Sequence, residues 1–286
     1  MAEATKKPMT RYGMVIDVDR CTGCFNCFLA CRDEHAGNDY RPVALAQPDG
    51  QSWIKVREIE RGSAPKVRVS YVPVPCLHCT DAPCMRAAKG GAIYRRPDGI
   101  VIIDPEKAVG QRDIAAACPW GAIFWNAEKN LPQKCTFCAH LLDDGWKLPR
   151  CVEACPTQAL VFGNLDDPQS EVSRRAREKP IEALAPQPAV QPPVGYFGLP
   201  ARFVAGEIVL GDRPEECAQG VRITLRQGRQ EFATASDNYG DFEFNGLLAD
   251  AEYVLRIDHA GYRPLELRLS PGADANVGTL ALVRAA

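Results

Sequence analysis

No stretch of this 286-residue chain reaches the roughly 18 consecutive apolar residues that a membrane-spanning helix needs, so no helical span is expected. Neither sign of charge is in excess. The 34 lysines and arginines nearly cancel the 36 aspartates and glutamates, leaving a net charge of -2. No basic stripe with interleaved aromatics stands out either, so nucleic acid is not an expected partner. The opening Met1-Ala2-Glu3-Ala4-Thr5-Lys6-Lys7-Pro8 has no apolar h-region and no twin arginines. That points to the cytoplasm, or to export in folded form on a partner that carries the signal. A nucleophile elbow, a phosphate loop and a dinucleotide fingerprint are all missing, which leaves no expected catalytic residue. Histidine is scarce, at His35, His78, His140 and His259.

Cysteine is abundant, and twelve of the thirteen fall into a bacterial-ferredoxin pattern. Cys21, Cys24, Cys27 and Cys31 read C-x2-C-x2-C-x3-C, and Cys135, Cys138, Cys151 and Cys155 close on Cys155-Pro156. Between them stand Cys76, Cys79 and Cys84, then a lone Cys118 before Pro119. Thiolates so spaced wrap a [4Fe–4S] cube, and the fourth of each run ligates the other cube of a pair. Written as four groups of four, the middle pair has blanks at Ala88, Ala108, Gln111 and Ile114. Under the swapped-ligand rule these four would all serve one cube, so their joint absence removes one cluster and orphans no thiol. Three clusters are expected: Cys76, Cys79, Cys84 and Cys118; Cys21, Cys24 and Cys27 with Cys155; and Cys135, Cys138 and Cys151 with Cys31. Four-cysteine zinc also uses C-x2-C pairs, and secreted frameworks use disulfides. Zinc needs neither the swap nor the Cys-Pro ending, and disulfides do not explain the repeated short spacing. Cys217 stands apart and reads as a free thiol without a role.

The expected fold class is α+β. Cys-Pro-x-Gly/Gln-Ala-Ile/Leu occurs at 118–123 and 155–160, an internal repeat that marks duplicated ferredoxin units over residues 1–179. Strands are expected at 12–17, 53–60, 66–72 and after each Cys-Pro, with a hairpin around Pro97-Asp98-Gly99. Residues 166–179 read as helical, and the proline-rich stretch 180–200 as an extended linker. From 201 to 286 seven period-two strands separated by turns predict an antiparallel β-sandwich. Asp237-Asn238-Tyr239-Gly240-Asp241 lacks the Gly and Glu of a calcium loop and reads as a hairpin turn.

The layout resembles the iron–sulfur subunit of molybdopterin oxidoreductases of the dimethyl sulfoxide reductase superfamily. Within it, the nearest likeness is to the small subunits of pyrogallol–phloroglucinol transhydroxylase and resorcinol hydroxylase. The residues that carry the resemblance include Met14-Val-Ile-Asp-Val-Asp-Arg-Cys21, Cys31-Arg-Asp-Glu-His35, Pro75-Cys-Leu-His-Cys79, Cys118-Pro-Trp-Gly121 and Lys134-Cys-Thr-Phe-Cys-Ala-His140. Gly220-Val-Arg-Ile-Thr-Leu225, Ser236-Asp-Asn-Tyr-Gly-Asp-Phe-Glu-Phe244 and Gly261-Tyr262 resemble the transthyretin-like, or carboxypeptidase-regulatory, sandwich. The resemblance implies an electron-relaying subunit with no substrate site of its own. It also implies a large partner that binds molybdopterin, molybdenum and a phenolic substrate, and in a hydroxylase a further electron acceptor. Two other readings remain: the electron-transfer subunit of another enzyme of that superfamily, or a free-standing polyferredoxin. The histidines beside ligands, His78 and His140, could donate to cluster sulfur or simply pack. Trp120, Phe124 and Trp125 read as cluster shielding and core.

Overall fold

The computed structural model describes residues 10–184, 192–270, 272 and 274–286. The chain folds as two units, Met1–Glu58 with Ser70–Leu199, and Ile59–Val69 with Pro200–Ala286. The first contains β1 (Tyr12–Asp17), α1 (Asn26–His35), the part outside 59–69 of the hairpin β2 (Lys55–Ser63) and β3 (Lys66–Val74), α2 (Pro83–Ala87), β4 (Ile93–Arg95), β5 (Val101–Ile103) and α3 (Asp113–Ala116). It continues through β6 (Ile123–Asn126), β7 (Leu131–Lys134), α4 (Ala139–Asp143), α5 (Arg150–Glu153), β8 (Leu160–Asn164), α6 (Glu171–Arg175) and β9 (Val194–Phe197). The second contains β10 (Arg202–Leu210), β11 (Arg213–Cys217), β12 (Arg222–Gln227), β13 (Gln230–Ala235), β14 (Asp241–Leu247), β15 (Tyr253–Asp258), β16 (Leu265–Leu269) and β17 (Ala275–Leu282). Strands and short helices in one chain make the class α+β.

In the first unit β1 is the middle of a three-stranded sheet, antiparallel to β8 and parallel to β9. Pairing on both edges explains why Gly13 through Asp17 are all buried and why β1 reads as an apolar run rather than an alternation. Helix α6 covers this sheet by placing Val172 against Val15, Val161 and Phe197. Ser170 caps it, its hydroxyl accepting from the Ser173 N–H. The helical stretch expected over 166–179 is thus a single short helix. Strand β9 lies inside the stretch read as linker. Tyr196 and Phe197 are almost fully buried there, and the Tyr196 hydroxyl donates to the Pro73 carbonyl at 3.0 Å. Apolar burial outweighs the flanking prolines, which stop at Pro193 and so cost the strand no hydrogen bond. Residues 185–191 of that stretch lie outside the described residues.

The second unit pairs two four-stranded sheets. In one, β10 is flanked by β17 in parallel and by β14 and β11 antiparallel; in the other the order is β13-β12-β15-β16. Alternate residues of both sheets meet in one apolar core that includes Val204, Ile208, Ile223, Leu225, Phe242, Phe244, Tyr253, Leu255 and Ile257. Asp237 to Asp241 forms a tight turn: the Asp237 carboxylate accepts the N–H groups of Tyr239 and Asp241, and Gly240 supplies a φ of 88°. The hairpin segment 59–69 completes this unit. Lys66 pairs with Asp241, Arg68 with Glu243 and Arg61 with Asp274, and Arg61 and Arg68 lie over the Phe203 ring. The unit therefore does not begin at 201 alone but includes eleven residues from early in the chain, Ile59–Val69.

Candidate functional site: three thiol clusters

The cysteine loops share one backbone device. The residue just before the second cysteine of the first C-x2-C pair in each run is left-handed: Gly23 at φ 67°, His78 at 48° and Phe137 at 52°. This conformation turns the N–H of that residue back toward the first thiol, and His78 and Phe137 donate to Cys76 and Cys135 Sγ, each at 3.4 Å. Gly23 makes the equivalent interaction with Cys21. At Gly23 a side chain is barred twice, because a Cβ would also come within 2.6 Å of the Tyr71 ring. After each Cys-Pro the third residue is left-handed as well, Gly121 at 62° and Gln158 at 53°. The non-glycine cases cost on the order of 1–3 kcal/mol each, strain that persists only where surrounding structure holds it. What it provides is a set of N–H donors aimed at sulfur, the arrangement that stabilises thiolate and cluster charge.

The thiols group as follows. Cys27 is pushed up to about 12, by burial first and then by Cys21, Cys155 and Cys24. Cys138 is likewise pushed up to about 12, by burial with added repulsion from Cys31 and Glu34. Cys135 is raised by burial and then by Cys31 and Cys138, and Cys151 by burial and then by Cys138, Cys135 and Cys31. Cys79 and Cys84 each rise to about 11, by burial first, with Cys76 and Cys118 as their neighbours. By the neighbours that bear on one another the thiols fall into three sets of four. Two links run between the sets: Cys27 bears on Cys151, and Cys76 on Cys135. The set of Cys31, Cys135, Cys138 and Cys151 is therefore adjacent to both of the others. Cys24, in the set of Cys27, is exposed.

Buried thiols such as Cys27, Cys84, Cys135 and Cys151, which resist becoming thiolates, need a polycation to neutralise them. A single ion does not suit, since no three His, Cys, Asp or Glu side chains among the described residues converge on one metal position. Zinc would require that convergence, with Zn–S near 2.3 Å. A cube spreads its ligands over four corners. Around Cys76, Cys79, Cys84 and Cys118 there is also an apolar cavity, walled by Ala82, Pro83, Val101 and Trp120. The residues present fit a [4Fe–4S] cube better than a mononuclear metal.

At three of the four blank positions the structure has packing or hydrogen bonds. Ala108 and Ile114 are fully buried. The Gln111 amide accepts from the Lys89 N–H at 2.9 Å and donates to the carbonyls of Lys89 and Lys107 at 3.2 and 2.7 Å. Gln111 thus ties together two loops that a cluster would otherwise join.

Helix α1 is fixed to the other ligand loops by Glu34. Its carboxylate accepts from Arg150 at 2.7 Å, from the Tyr40 hydroxyl at 2.7 Å, and pairs with His140 Nε2 at 3.0 Å. Burial opposes the Glu34 charge, but the bonds from Arg150, His140 and Tyr40 outweigh it and hold the carboxyl down at about 2. His140 stacks on Tyr40 with 3.7 Å between ring centroids, so it serves Glu34. His35 is buried against Trp53, and burial, then His140, lowers it to about 3. His78 accepts the Val101 N–H at Nδ1, at 3.0 Å, and packs on Phe137. His259 lies beside Tyr262, and Cys217 is exposed in β11. Trp120 walls the cavity, while Phe124 and Trp125 carry Lys55 and Arg112 over their rings at 4.8 and 4.4 Å. Sequence reasoning did not single out Glu34 or Lys134. Glu34 sits on the helix that carries Cys27 and Cys31, and Lys134 precedes Cys135 in a strand that periodicity does not show.

Residues 67–165 match the family model of a 4Fe-4S dicluster domain, which takes in Cys76 through Cys155. The small subunit of pyrogallol hydroxytransferase from Pelobacter acidigallici is 41% identical over 263 residues, covering 88% of this chain and 92% of that one. A sulfite dehydrogenase subunit from Allochromatium vinosum is 34% identical over 200 residues, covering 66% of this chain and 83% of that one. The iron–sulfur subunit of an arsenate respiratory reductase from a Shewanella species is 32% identical over 236 residues, covering 65% and 96%. The first match is longer than the chain up to Leu199 and so runs into the β-sandwich. The other two cover about the share of the chain that precedes Pro200. No helix among the described residues is long and apolar enough to cross a membrane.

Proposed function

This chain belongs to the iron–sulfur subunits of the dimethyl sulfoxide reductase superfamily, and from that membership we propose that it serves a molybdopterin hydroxylase or transhydroxylase of phenols. Its own task is electron transfer; it is the non-catalytic part of an oxidoreductase complex. The observation that carries the phenolic reading is that the likeness to the pyrogallol enzyme's subunit continues into the sandwich. In a transhydroxylase one phenol loses a hydroxyl as another gains one, and electrons are stored and returned. In a hydroxylase water supplies the oxygen, and two electrons leave through this subunit to an acceptor.

Three [4Fe–4S] clusters, one per thiol set, form the relay, with all twelve cysteines as ligands. The adjacency of the sets supports one order for it. Electrons exchange with the outside at the end marked by exposed Cys24, pass the set holding Cys31, and reach the set of Cys76, Cys79, Cys84 and Cys118. When bound, each cluster supplies one-electron redox chemistry. The chain supplies thiolates, N–H donors to sulfur and burial. The second unit, of transthyretin-like type, docks on the large subunit. The complex is cytoplasmic, where thiols stay reduced for cluster assembly.

Anaerobic purification of the tagged chain from its native cell tests this reading. A large subunit should accompany it, with molybdenum and pterin. Adding pyrogallol, alone or with a second phenol, should reduce clusters or yield rearranged phenols. A chain that elutes alone, without molybdenum, would be a free polyferredoxin instead.

A further inference from the structure

Lys134 is the most unusual charge in the molecule. It is 2% exposed, on β7, directly before Cys135. Its ammonium has no carboxylate partner among the described residues. It donates to the Val101 carbonyl and, at 3.0 Å, to that of Cys135. A buried ammonium held only by two carbonyls is costly unless an anion lies near. The groups it bears on are Cys84 and His78, both in the wall of the apolar cavity. His78 does not supply an anion. Its Nδ1 accepts the Val101 N–H, so it is the neutral Nε2–H tautomer, and Nε2 has no partner among the described residues. Val101 thus holds both groups, one through its N–H and one through its carbonyl.

We propose that Lys134 is a fixed cation that raises the reduction potential of the cluster held by Cys76, Cys79, Cys84 and Cys118. This rests on the three-cluster reading above. A cube in four thiolates carries negative charge that grows when it takes an electron, so a buried positive charge favours the reduced form. Water does not screen Lys134. Arg95 is the other cation at this site, bonded to the carbonyls of His78, Cys79, Thr80 and Gly99, but it is half-exposed and screened. The cluster that Lys134 favours would then be one where an electron rests between the two halves of a turnover.

An EPR-monitored redox titration of the intact complex tests this, with iron counted first on every sample. The wild type should show about twelve irons, four per cube, and three titrating centres. Any other count defeats the three-cluster reading itself. In Lys134→Met, of similar length and uncharged, one centre should become harder to reduce by about tenfold or more, a fall of about 59 mV for one electron. Lys134→Arg should hold near the wild-type value, and Arg95→Gln should shift less than Lys134→Met. Unchanged potentials in a fully loaded Lys134→Met protein overturn the proposal. So does loss of the cluster from both Lys134→Met and Lys134→Gln with retention in Lys134→Arg, which would make the lysine a structural part of the site.

Discussion

Glu34 shows what a single residue contributes beside the ligands. It accepts bonds from three side chains brought from separate parts of the chain, Tyr40, His140 and Arg150, and is itself only 10% exposed. Replacing it by Gln would leave Arg150 and His140 facing a neutral amide. The loss should be about 2–3 kcal/mol, the scale of a broken charged hydrogen-bond set. The sign of its pH dependence follows from a folded pKa of about 2, below the ordinary 4.5. Its stabilisation is complete above about pH 4.5 and is lost as pH falls through about 2, because the unfolded state takes up the proton first. Thermal unfolding of wild type and Glu34→Gln should therefore differ most near neutral pH and converge in acid; a gap that widens in acid would contradict this. The grouping of the cysteines was legible because it is written in their spacing. Glu34 was not, since a glutamate on a short helix looks like any solvated charge until its three partners are brought together in space.

Elements were legible where one local rule governs them. The strand at 12–17 and the hairpin around Pro97-Asp98-Gly99 follow from an apolar run and from turn residues. Strand β7, Leu-Pro-Gln-Lys, has neither alternation nor β-branched residues, yet all four residues are buried. Its pairing with β6 and the bonds of Gln133 to the Leu45 and Ala46 carbonyls hold it, and both are long-range. Strand β9 was masked by prolines, and β11 by an all-exposed, charged composition. Helix α1 carries the element-scale prediction, because it delivers two of its thiols to different sets. Cys27 groups with Cys21, Cys24 and Cys155, whereas Cys31 groups with Cys135, Cys138 and Cys151. The residues are four apart, about one helical turn, and so stack along the axis rather than pointing at one centre. Cys31→Ser should damage the middle cluster and spare the one held by Cys21, Cys24 and Cys27. Cluster-resolved EPR of the variant checks it, and loss of the surface-end signal with the middle one intact would refute the assignment.

At the scale of the whole molecule, division by sequence and division by packing differ. All twelve candidate ligands lie before Leu199, yet residues 59–69 fold with 200–286. A cut in the chain alone is therefore a poor test of the sandwich. Ending at Pro193 would remove Tyr196 and Phe197 from the sheet of β1, and each buried aromatic lost costs about 3–5 kcal/mol. Ending at Leu199 spares that sheet but strands Lys66, Arg68 and Arg61 without Asp241, Glu243 and Asp274. The informative variant ends at Leu199 and also replaces 59–69 with a short turn. It keeps every candidate ligand and the Glu34 and Val101 contacts, so its iron content should stay at about twelve per chain. If the sandwich docks on the molybdenum subunit, this variant should copurify with that subunit in clearly lower yield and lose activity in proportion to the dissociated fraction, while the clusters that remain titrate as in the wild type. Equal copurification and normal turnover would show that the sandwich does not hold the complex together. Loss of iron would show that the hairpin turn supports the cluster unit in its own right.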